Sequence, residues 1–65
     1  MPDAKIDGVR KDFAHLTAQL EDAALIASQG QGIRDLQEAR RHWEGLVVAV
    51  DRIDRSLQRL EKRLT

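Results

Sequence analysis

The sequence predicts an all-α fold: an antiparallel two-helix hairpin, coiled-coil-like, that dimerises into a four-helix bundle. Three observations carry that expectation. Apolar residues recur at alternating intervals of three and four along nearly the whole chain, which is the signature of helices packed with a period of 3.5. The only proline is Pro2, at a position a helix tolerates. One short glycine-containing break, Ser28-Gln29-Gly30-Gln31-Gly32, divides the pattern in two.

The first helix is expected over about 4–28. Ile6, Val9, Phe13, Leu16, Leu20, Ala23 and Ala27 form its seam. Asp3 is placed to cap it, and Gly8 weakens its first turn, so a start at Asp7 is the alternative. Residues 29–32 form the loop, with Gly30 suited to a left-handed helix end and Gly32 to an N-cap before Ile33. The second helix is expected over about 33–64, with Asp35 in its first turn opposite exposed N–H groups. Its seam runs Leu36, Ala39, Trp43, Leu46, Val50, Ile53, Leu57, Leu60, Leu64. Gly45 is the weak point, because a mid-helix glycine costs about 0.5–1 kcal/mol relative to alanine. The heptad phase nevertheless runs from Trp43 through Leu46 to Val50 without a stutter, so the helix is read as continuous. A link this short makes the helices antiparallel neighbours in a hairpin roughly 35–45 Å long.

Charge agrees with that folding. Residues 3–22 carry five acidic and three basic side chains, and residues 51–63 carry five basic and three acidic. Folding back sets these ends side by side, with Arg10 and Asp54 as a cross-helix pair. The whole chain balances, 11 Lys and Arg against 11 Asp and Glu, which removes the field that general nucleic-acid or anionic-membrane binding would use.

Self-association follows from size and patterning. The 65 residues have room for one small domain, 1–65, that buries only about 60% of its surface, and there is no cysteine to staple it. With Ile6 and Leu36 at heptad position a, Val47 falls at e and Ile26 at g, which widens the stripe to serve two neighbours. Phe13, Leu16, Leu20, Trp43, Leu46, Val47, Val50 and Ile53 are expected to form the shared core, extended by Leu36, Leu57 and Leu60. Leu25, Ile26 and Val48 are expected to contact a second chain, Leu25 and Val48 from outward f positions. A homodimer is the simplest closed solution, with a helical partner protein as the other possibility.

Catalytic and metal-binding chemistry finds no pattern. His15 and His42 lack the Glu-x-x-His spacing of a bundle metal site, since Glu38 and His42 are four apart and His15 is at an outward position. Gly30-Gln31-Gly32 follows a helix and lacks the lysine of a phosphate loop, while Ser28 and Ser56 have no nucleophile motif around them. The chain is therefore expected to be neither an enzyme nor a cofactor protein. Arg52, Arg55, Arg59 and Lys62 form a basic stripe at c and f positions, the candidate contacts should the chain bind nucleic acid. No apolar run reaches membrane-spanning length, the longest being Leu46-Val47-Val48-Ala49-Val50, and no secretory or lipidation pattern is present, so a cytoplasmic location is expected.

Three families share parts of this outline. The short helical hairpin that dimerises into a bundle resembles the Rop family of plasmid copy-number RNA-binding proteins, which implies an RNA-binding regulator. Length and layout are also similar to the small co-chaperones of type III secretion needle subunits, which implies pairing with another helical protein. Trp43-Glu44-Gly45 is similar to the Trp-X-Gly signature of small type VII secreted hairpins, although that signature lies in the turn and here falls inside the second helix. Apart from these likenesses, the residues lead to a protein-interaction or regulatory adaptor acting through helix pairing.

Overall fold

A computed structural model describes residues 4–65. The described residues form two helices and no strand, α1 (Ala4–Gly30) and α2 (Leu36–Leu64), folded back on each other as an antiparallel hairpin. The expected cap, Asp3, lies outside the described residues, and the alternative start at Asp7 is set aside by helix from Ala4 onward. Gly45 does not break α2. A β-carbon added there would lie 4.0 Å from Ile26 Cγ2, so the glycine is neither strained nor required by a close approach.

The turn departs from expectation at both of its edges. Gly30 ends α1 without left-handed backbone, and no described residue has positive φ. The chain instead leaves the helix through tightened turns: the N–H groups of Gln31, Gly32 and Ile33 donate to the carbonyls of Ser28, Gln29 and Gly30 at 3.1, 3.1 and 3.4 Å. Those bonds satisfy the orphan carbonyls that a glycine cap would otherwise serve. Asp35, rather than Gly32, caps α2. It is extended (φ −150°, ψ 169°), and its Oδ1 accepts from the Glu38 N–H at 2.8 Å. Glu38 reaches back in turn, its Oε2 accepting from the Arg34 N–H at 3.1 Å. This reciprocal arrangement shifts the helix start from 33 to 36.

The interhelical seam is rotated from the one the apolar pattern predicts. Residues shielded on α1 include Val9, Asp12, Leu16, Gln19, Ala23 and Ile26; on α2 they include His42, Leu46, Ala49, Ile53, Ser56 and Leu60. In heptad terms the helices meet along d and g, not along a and d. Only the d residues are common to both descriptions. The reason is size: Ala23, Ala49 and Ser56 at the seam let the two backbones approach, whereas Phe13 and Trp43 in that place would hold them apart. Phe13, Leu20, Trp43, Val47, Val50 and Leu57 are thus exposed in the hairpin, while Leu16 and Leu60 are buried and Ile26, Leu46 and Ile53 half-buried.

Electrostatics follow the rotation. The interhelical ion pair is Arg63 Nε to Asp12 Oδ2 at 2.6 Å, both at g positions, with the Asp12 side chain only 14% exposed. Gly8 makes this possible, because its missing side chain leaves room for the Arg63 guanidinium. Arg10 and Asp54, expected as the cross-helix pair, are both at e, turned away from the seam. Asp54 instead accepts from Gln58 Nε2 at 3.0 Å within α2.

Candidate functional site

The hairpin is one helix thick. Its Cα trace measures 55 × 17 × 9 Å, with a radius of gyration of 15.5 Å where a compact chain of this length has about 11 Å. Its accessible surface is 5473 Å², against roughly 4,200 Å² for a compact monomer of the same mass. Among the described residues, Leu16, Ala23 and Leu60 are the only buried apolar ones and no side chain is fully buried. A d/g seam alone gives these helices little core.

The apolar surface lies on one side. Since α1 and α2 run in opposite directions, the same turn from the seam toward position a carries both a stripes to one face of the hairpin. The opposite face confirms this geometry: His15, Asp22 and Leu25 of α1 share a shallow concavity with Gly45, Val48 and Arg52 of α2, all at c or f. The a positions therefore occupy the other face together. From α1 these are Ile6, Phe13 and Leu20; from α2 they are Leu36, Trp43, Val50, Leu57 and Leu64, joined by Val47 at e. All are exposed, Phe13 to 55%, Trp43 to 61% and Leu36 to 87%.

The local register orders this face into layers. Ile26 packs against Gly45, which sets Ala27 level with Trp43, Leu20 with Val50, Phe13 with Leu57 and Ile6 with Leu64. Leu36 lies a turn beyond the end of α1, which explains its high exposure. Trp43 bounds two grooves on the face, one shared with Leu36, Ala39 and Arg40 and the other with Leu46, Val47 and Val50.

The remaining candidates are dispersed. Leu25 and Val48 are on the concave c/f face and Ile26 is in the intramolecular seam, so the three do not form a single contact surface. Arg55 is paired with Asp51 at 3.0 Å one turn away, both well exposed, and Arg52 lines the concavity. Arg59 and Lys62 are exposed on the same half of α2. His42 is half-buried, its Nδ1 placed 3.1 Å from the Glu38 carbonyl, while His15 is exposed on the c side. Among the described residues, no three His, Cys, Asp or Glu side chains gather in a group able to hold a metal ion. No described helix is long and apolar enough to cross a membrane.

Sequence reasoning missed two contributors to this arrangement. Asp35-Leu36-Gln37-Glu38 carries the acidic-x-x-Glu signal of a capped helix start. The d/g stripe of Asp12, Leu16, Gln19, Ala23, Ile26 and of His42, Leu46, Ala49, Ile53, Ser56, Leu60 also has 3,4 spacing, but its small and polar members hid it. Comparison with known proteins gave no match to a family model, to a curated protein or to a solved structure.

Proposed function

We propose that this chain is a non-enzymatic interaction module that works by helix pairing through its a-position face, with regulation or assembly of other components as its consequence. The observation that supports this reading best is the placement of nine large apolar side chains on one face of a single-layer hairpin. Contiguous apolar surface on that scale marks an association site. The angle between the two contact directions supports it further. The d/g seam and the a/e face are roughly 110° apart around each helix at 100° per residue. A helix at the corner of a four-helix bundle has its two neighbours at about that angle.

Trp43, the single tryptophan, reports on the face directly. In the associated form its emission is blue-shifted and protected from iodide, and dilution makes it red-shifted and quenchable. An emission that is solvent-exposed and equally quenchable at every concentration, from a chain that stays helical, would overturn the proposal.

A further inference from the structure

The geometry points to one specific occupant and orientation: a second copy of this chain, stacked face to face with its loop at the same end, about a two-fold axis parallel to the helices. The inference rests on the helix-pairing reading and adds the partner and its direction. Two symmetric stackings are open to such a hairpin. With the axis along the bundle, α1 lies on α2 of the partner at the same height. With the axis across it, each helix lies on its own copy and the loops are at opposite ends.

Area makes a second copy sufficient. The surface exceeds that of a compact chain by roughly 1,300 Å². A standard interface removes about 800 Å² from each partner, so one copy on this face accounts for most of the excess.

Side-chain size favours the same-end stacking. It sets Trp43 of each chain over Ala27 and Ala24 of the other, so the largest side chain on the face meets two of the smallest. It sets Val50 over Leu20 and Leu57 over Phe13, and it brings the two Leu36 residues together at the loop end. The opposite-end stacking with the two hairpins fully overlapped instead sets Trp43 over Leu64 and Ala27 over Ile6, and leaves Leu36, the most exposed of these residues, beyond the end of the partner; sliding the copies by one heptad covers Leu36 but sets Trp43 over Leu57 and leaves Ile6 uncovered.

Charge favours it too. In α1 four acidic side chains face three basic ones, while α2 has seven basic and five acidic. Same-end stacking lays the acidic helix on the basic one, whereas opposite-end stacking lays like on like. At the rim it sets Arg10 level with Glu61 of the other chain and Ala24 level with Val47. Arg10 and Glu61, both exposed, are on opposite edges of the hairpin, so the two can meet each other only between copies.

The test uses the full chain with a spin label on Gly32→Cys, in the exposed turn of a protein that has no other cysteine. Same-end stacking places the two labels within about 30 Å, given helix spacings of roughly 10 Å. A distance approaching the 55 Å length of the hairpin overturns the orientation while leaving helix pairing standing. A monomer without dipolar coupling at any concentration overturns both. A second measurement is independent of the label. Arg10→Glu and Glu61→Arg each raise the dimer dissociation constant several-fold, and the double exchange restores it; additive losses without rescue overturn the orientation.

Discussion

Two glycines on the same side of the hairpin give opposite responses to the same substitution, and the contrast tests the rotated seam. Gly45→Ala adds a β-carbon at ordinary van der Waals distance, 4.0 Å from Ile26 Cγ2, in the middle of α2. The gain is the intrinsic difference between the two residues in a helix, about 0.5–1 kcal/mol. Unfolding entropy near 2.1 cal/mol/K per residue gives roughly 0.14 kcal/mol/K for a chain of this size. The melting temperature should therefore rise by roughly 4–7 °C. Gly8→Ala has the same intrinsic gain but a different neighbour. Its β-carbon would lie 2.6 Å from Arg63 Nη1, so the guanidinium must move away from Asp12. A pair with one half-exposed partner contributes about 0.5–1 kcal/mol, which offsets the gain and leaves the melting temperature within about 3 °C of the parent. Thermal denaturation followed by circular dichroism at one fixed concentration reads both variants. A Gly8→Ala shift as large as that of Gly45→Ala would show that Arg63 does not lie across Gly8. A drop for Gly45→Ala would refute the seam itself.

Other substitutions probe separate parts of the account. Asp35→Ala removes the side chain that accepts from Glu38, and should lower stability by about 1 kcal/mol in urea titrations with an unchanged m-value. Gln19 Oε1 is buried without a hydrogen-bond partner, so Gln19→Met should raise stability by about 1 kcal/mol, and a loss would show that the amide is satisfied in solution. Leu16→Ala, at a buried seam position, should cost about 2–4 kcal/mol whatever the protein concentration. Trp43→Ala should instead lower the melting temperature strongly at high concentration and little at high dilution, because the hairpin alone leaves that side chain exposed.

The sequence made the hairpin legible because helix periodicity survives any choice of partner. Val9, Leu16, Ala23, Leu46, Ile53 and Leu60 follow the 3.5-residue period whether the neighbour is α2 or another chain. Which flank of that stripe closes the hairpin was not legible, since apolar strength and close approach favour opposite flanks. Phe13, Leu20, Trp43 and Val50 attract attention by hydrophobicity, yet Gly8, Ala23, Ala49 and Ser56 decide the intramolecular contact by being small. The long apolar residues then remain for another helix. The turn was misread for a similar reason. Glycines at 30 and 32 suggested caps, while successive backbone hydrogen bonds and the Asp35 carboxylate satisfy those helix ends without special backbone angles. Continuity through Gly45 was readable, because an unbroken heptad phase outweighs a propensity cost of about 1 kcal/mol.

The charge distribution illustrates how composition and placement differ. Opposite net charge at the two chain ends correctly implies antiparallel packing, but the contact it produces is Asp12 with Arg63 and not Arg10 with Asp54. Position g faces the other helix in a d/g seam and position e does not. That single rotation relocates the ion pair, exposes Trp43 and separates Leu25 and Val48 from the main apolar face.

Sedimentation equilibrium over a concentration series, with helix content measured on the same samples, tests the central claim most directly. The apolar a-position face predicts a strongly helical species of twice the 7.4 kDa chain mass, whose helicity declines as dilution drives it to monomer. A fully helical monomer of 7.4 kDa at every concentration would contradict it.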